Sequence, residues 1–211
     1  MALTDVGEIE VSAYGRDWLF RPSLSAISSL GTPEEIVQIF ADLHHAPSPT
    51  GNGYLDGILL RNFKRKQFRV AVTVLWACST DDITSLVGGY KPSAKGLRYR
   101  VGFMPMHDMV VVASSLAQHG IIGKVKKGDR EKKGDAEYSK GFNASEYVSM
   151  AIAHLGMTER EAWSMTMTGL LNAMRAKYPP KMQDGADAPS EEQHDLTMSW
   201  LDKVNAARGI H

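Results

Sequence analysis

A single cysteine, Cys78, stands in 211 residues. No intramolecular disulfide can form, which suits a reducing compartment. An excess of either charge is missing as well: Lys+Arg and Asp+Glu both total 24, so the formal net charge is +0. No global basic field exists to hold a nucleic acid, and only a local patch could do so. Long hydrophobic runs are also absent. The longest, residues 70–78, has Thr73 inside it and is far too short to span a bilayer. The N-terminal residues carry Asp5, Glu8 and Glu10 with no apolar stretch behind them, the wrong pattern for a secretory signal. These absences lead to the expectation of a cytoplasmic protein without a membrane partner.

Catalytic and metal-binding signatures are lacking too. The glycine-rich run at 88–96 does not have the G-x-x-x-x-G-K-[ST] spacing of a phosphate loop. There is no G-x-S-x-G elbow and no H-E-x-x-H. None of the seven histidines pairs with another at i+4, and there is one thiol. A structural zinc site needs four closely spaced ligands, so no metal and no cofactor are expected. His45, His119 and His154 each fall in the last turn of an expected helix, where a cation favours the dipole. Cys78 lies in an apolar run and reads as an inert core residue. No catalytic residue is named, and the chain is expected not to be an enzyme.

What is present is a core-forming composition, with 43% hydrophobic residues, arranged mostly at helical spacing. The expected fold is mainly α: an N-terminal β-hairpin packed on a helical domain (1–123), a charged flexible linker (124–141) and a small C-terminal helical domain (142–211). Residues 8–12 alternate polar and apolar like a strand. A turn at Tyr14-Gly15-Arg16-Asp17 leads into Trp18-Leu19-Phe20. Thr32-Pro33-Glu34-Glu35 carries a capping box with proline at the first helical position. Ile36, Ile39, Phe40 and Leu43 then form one stripe. Residues 47–57 read as loop and 58–79 as a buried helix with Phe68, Val72, Leu75 and Trp76 on its face. A short helix begins near Asp82. Residues 88–105 read as loop with a strand at 97–103. Met109, Val112, Ala113 and Leu116 mark a helix that ends at Gly120. In the C-terminal part, helices start at Asn143, Thr158 and Met167, and a last one at Ser190 carries Leu196, Trp200 and Val204.

Two features could bind partners. The first is the cluster Arg61, Lys64, Arg65, Lys66 and Arg69, with Phe63 and Phe68 interleaved. It is either a phosphate- or acid-contacting patch or a solvated helix end. The second is the linker 124–141, with seven basic and four acidic residues, read first as a plain tether and second as a nucleic-acid arm. The C-terminal helices also concentrate apolar residues, with Met150, Met157, Met165, Met167 and Met174 crowded together. Methionine suits adaptable binding surfaces and also fills cores, and both readings stay open.

Residues 147–171 resemble the C-terminal region of tail assembly chaperones of tailed phages. The likeness lies in the Leu155-Gly156 break, Glu161 before Ala162-Trp163, the Ser164-Met165-Thr166 turn and the Leu170-Leu171 helix. The wider chain, including 16–24, 30–34 and 173–180, is similar to uncharacterised phage tail-module proteins. The resemblance implies a non-catalytic morphogenesis factor in the host cytoplasm that binds the tape-measure protein or tail-tube subunits. Trp163, Met165, Met167, Leu170, Leu171 and Met174 would then supply a groove for an apolar helix. The chain is longer than many such chaperones and adds an N-terminal helical region, which leaves open whether it stays in the virion. The alternatives are a structural tail or neck component, which would need a stable, symmetric self-association interface, and a nucleic-acid-binding protein using Arg61 to Arg69.

Overall fold

The computed structural model describes residues 2–94, 96–124 and 141–179. It opens with a 3-10 turn, Thr4–Val6, and the hairpin β1 (Ile9–Ala13) and β2 (Arg16–Phe20). Pairing runs from Ile9↔Phe20 to Ala13↔Arg16, so the turn is only Tyr14-Gly15. Both have positive φ, 51° and 73°, as a two-residue primed turn requires. The alternation puts Trp18 and Phe20 on the covered face. That face closes over the helices, and the expected hairpin is present.

The chain then continues through α1 (Leu24–Ser28), α2 (Pro33–His44), α3 (Gly53–Cys78) and α4 (Thr84–Val87). At the start of α2, the Glu35 amide donates to the Thr32 hydroxyl at 3.3 Å, and the Thr32 amide donates to the Glu35 carboxylate at 2.8 Å. The capping box forms as its spacing dictates. Two expectations about α3 need correction. The helix begins at Gly53, inside the segment read as loop. Its buried side is Ala71, Val74, Leu75 and Cys78, offset from the expected face, so that Trp76 is exposed. Three valines and two alanines spread apolar residues around the C-terminal half, and no single stripe could be chosen from spacing.

Residues 88–105 hold more than one strand. β3 (Gly88–Ser93) and β4 (Gly96–Val101) pair as a second antiparallel hairpin. Its register is Tyr90↔Tyr99 and Lys91↔Arg98. Gly88, Gly89 and Pro92 hid the first strand, because these residues disfavour sheets. α5 (Met106–Ala117) follows and runs into a π turn, Gln118–Ile122. After the undescribed stretch come α6 (Ala144–Met150) with its own π turn, Ala151–Leu155, then α7 (Glu159–Ser164) and α8 (Met167–Lys177).

The mainly α class holds, with two small two-stranded sheets. The layout of the C-terminal part differs from expectation. α6, α7 and α8 do not stand apart from the N-terminal region, because Val148, Ala151, Ala162, Met167 and Leu170 share one core with Leu24, Ile27, Leu75 and Leu116. Main-chain bonds explain the merger. The Leu24 amide donates to the Met165 carbonyl at 2.7 Å, and the Phe142 amide to the Pro33 carbonyl at 3.0 Å. The Thr166 hydroxyl donates to the Val6 carbonyl at 2.7 Å and accepts from the Gly169 amide at 3.0 Å. The chain divides instead after Tyr178. The expected linker (apart from Lys124 and Gly141) and the expected last helix lie outside the described residues.

Candidate docking surface and basic cleft

The first half of α3 lies beyond the core. Its start is built locally: the Asn52 side chain accepts from the amides of Tyr54 and Leu55, at 3.1 and 3.4 Å. The Asp56 carboxylate accepts from the Thr50 amide and hydroxyl, both at 2.7 Å. Those bonds, the hydroxyl first, hold the Asp56 carboxyl below the usual range. An acid in the first turn also complements the helix dipole. Further on, Lys66 pairs with Asp42 of α2 at 2.8 Å, and the Gln67 side-chain Nε2 donates to the Leu43 carbonyl at 2.9 Å. Between these two anchors no residue from Gly53 to Lys66 is buried. Tyr54, Leu55, Ile58, Leu59 and Leu60 are all exposed, Tyr54 at 78%. Tyr54, Leu55, Ile58 and Leu59, at i, i+1, i+4 and i+5, share one side of the helix, and exposed apolar side chains grouped in this way mark an interaction site.

The expected basic cluster follows this tip, and the structure divides it. Lys66 turns to Asp42. Arg61, Arg65 and Arg69 are exposed, and among the described residues none of them forms an ion pair. At every fourth position they stay within one stripe of the helix, advancing about 6 Å per step. Lys64 lies outside that stripe.

Sequence reasoning missed what stands opposite. The β3–β4 hairpin brings Tyr90 and Tyr99 against α3. Together Asn62, Arg65, Phe68, Arg69, Tyr90 and Tyr99 line an open cleft of about 580 Å³. Tyr99 is the hub. Its ring meets Phe68 edge-on at 5.4 Å and Tyr90 at 5.3 Å, and its hydroxyl donates to the Val87 carbonyl at 2.8 Å. Burial, and secondarily Tyr90, raises its phenol pKa, so it remains a neutral donor. Tyr90 is 61% exposed. A signal for this site did exist in the sequence. From residue 57 to 107 there are nine Lys and Arg against two acids, Asp81 and Asp82, a net of +7 in a chain of net +0. Pooling charge over the whole chain concealed it.

The C-terminal residues expected to form a groove are placed differently. Met167 and Leu170 are 2% and 1% exposed and are closed to any partner. Met165, Leu171 and Met174 are half-buried and pack against the same core. Trp163, also half-buried, edges a cleft of about 700 Å³ lined mainly by serines in and flanking α1, with Arg160 and Ser164. The six residues therefore do not come together as an uncovered apolar groove.

Cys78 is buried, and desolvation pushes its thiol up to about 12, far from a reactive thiolate. Among the described residues, no three His, Cys, Asp or Glu side chains gather as a metal site. Nor is any helix among them long and apolar enough to cross a membrane.

A family model, Family of unknown function (DUF6246), matches residues 20–196. The chain belongs to the DUF6246 family. No curated protein and no solved structure matches it. The DUF6246 match takes in α3, the second hairpin and α6 to α8, so the tip, the cleft and the C-terminal core all lie within the family region.

Proposed function

We propose that this protein is a non-enzymatic morphogenesis factor of a phage tail, acting in the host cytoplasm by docking a tail protein on the uncovered apolar tip of α3. The single observation that carries the docking reading is the exposure of Tyr54, Leu55, Ile58, Leu59 and Leu60 between two anchored points of one helix. Gly53 and Gly57 lie in the same turns and weaken the helix by about 1 kcal/mol each. Such a segment gains most from a partner that covers it. The phage assignment is supported by the resemblance of residues 147–171 to tail assembly chaperones. The partner it implies is the tape-measure protein, whose long apolar helix needs a complementary apolar face.

The test is co-expression of the full chain with the tape-measure protein of the same phage, wild type beside Leu55→Asp/Leu59→Asp. Both positions are on the surface, so the variant keeps the wild-type circular dichroism and melting temperature. The wild type is expected to hold the tape-measure protein in solution and the variant to lose it. A variant that works as well as the wild type would remove the tip from the reading. Failure of both would remove the chaperone role. The other reading the resemblance leaves, a tail or neck subunit retained in the particle, predicts this chain in the mass spectrum of intact virions.

A further inference from the structure

We propose that the cleft between α3 and the β3–β4 hairpin binds single-stranded nucleic acid, an activity beyond the protein docking assigned to the tip. Charge is the first ground. The fold neutralises Lys66 with Asp42 and leaves Arg61, Arg65 and Arg69 without an acidic partner among the described residues. Spacing is the second ground. Three guanidinium groups in one row, about 6 Å apart along the helix, match a string of phosphates and do not converge on one ion.

The aromatic side of the cleft identifies the polymer. Tyr99 is fixed by Phe68 and the Val87 carbonyl and braces Tyr90 edge-on, while Tyr90 stays 61% exposed. A held, exposed ring beside a row of cations is what an unpaired base can stack on, with its phosphates on the arginines. In a duplex the base faces are already stacked, so Tyr90 adds nothing there. A run of Asp or Glu side chains would use the arginines but offers no flat ring to place on Tyr90. The Asn62 amide lines the same cleft and can donate to or accept from a base edge.

The experiment is fluorescence anisotropy on the full chain with labelled oligothymidylate and oligouridylate of roughly 20 nucleotides, longer than a single site of this size needs. Duplex DNA of equal length and polyglutamate are the comparators. Single strands are expected to bind more tightly than duplex. With about three phosphates contacted, log affinity should fall against log salt with a slope near −2. Arg65→Glu/Arg69→Glu should lower affinity more than tenfold. Tyr90→Ala should lower it about tenfold, with Tyr90→Phe restoring it, and both variants should melt like the wild type. The thymidylate and uridylate arms separate DNA from RNA, and tight binding of either supports the site. Equal binding of duplex with no effect of Tyr90→Ala would overturn it as a mere polycation. Competition by polyglutamate at equal charge, or no binding at low salt, would overturn it too. Leu55→Asp/Leu59→Asp should leave oligonucleotide binding unchanged, which keeps this result separate from that of the docking test.

Discussion

Helix α8 and the first half of α3 carry similar apolar side chains to opposite ends. In α8, Met167 and Leu170 lie at 2% and 1% exposure within the common core. In α3, Leu59 and Leu60 lie at 41% and 45% exposure. The difference comes from what anchors each helix. α8 is stitched to the N-terminal turn by Thr166 and to the π turn after α5 by Thr168, whose hydroxyls reach Val6 and His119. α3 is tied to α2 through Lys66 and Gln67, and no residue from Gly53 to Lys66 is buried. Apolar spacing tells which face of a helix avoids water. It does not tell whether the rest of the chain arrives to cover that face.

The largest test of this comparison is a matched pair of truncations. Leu170→Ala should destabilise the fold by about 2–5 kcal/mol, the cost of lost burial plus a cavity. Leu59→Ala should change stability by no more than about 0.5 kcal/mol. Urea unfolding followed by circular dichroism measures both. Equal losses would mean that the tip is covered in the folded protein, and the contrast between the helices would disappear.

The second test acts on the stitch itself. Gly7 has φ of 90°, and a Cβ there would lie 2.3 Å from the His119 Cβ. Gly7→Ala combines that clash with a left-handed conformation and should cost about 1–3 kcal/mol. Because His119 bonds to Thr168, hydrogen exchange in α8 should accelerate while exchange in the first turns of α3 stays as it was. A uniform change across both helices would show that the N-terminal turn supports the whole fold and not α8 in particular.

Much of this architecture was legible in the sequence wherever a local signal had a local cause. Thr32 and Glu35 formed their box, Thr158 and Glu161 formed another, and Tyr14-Gly15 made the turn. The helix from Met167 onward was visible from its spacing. What could not be read was set by distant contacts. Nothing local links Leu24 to Met165 or Thr166 to Val6, so the C-terminal helices looked like a separate unit, and their methionines looked available. The basic row of the candidate site was visible residue by residue. Its aromatic wall was not, because Tyr90 and Tyr99 reach α3 only through a hairpin disguised by Gly88, Gly89 and Pro92.

The smallest effect separates the two regions by pH. The Thr168 hydroxyl donates to the His119 carbonyl at 3.2 Å and accepts from the Lys124 amide at 2.9 Å. The His119 Nδ1 lies 2.9 Å from the same hydroxyl. Desolvation first, and the Lys124 charge second, lower the pKa of His119 below its ordinary 6.5. A histidine depressed in the fold binds its proton more readily when unfolded. Its contribution is complete above about pH 6.5 and is lost as pH falls through the lower folded value. The melting temperature should drop by a small amount between about pH 7.5 and 5.5. His119→Asn, which keeps a hydrogen-bonding group near Nδ1 but cannot titrate, should flatten the drop. The tip of α3 should not respond in that window. Its titrating group is Asp56, lowered from 3.8 by Thr50, so its contribution persists until pH falls through that lower value. Hydrogen exchange near pH 6 should thus loosen α8 and spare the α3 cap. Loosening of the cap at the same pH would show that the two regions share a titrating group and are not independently anchored.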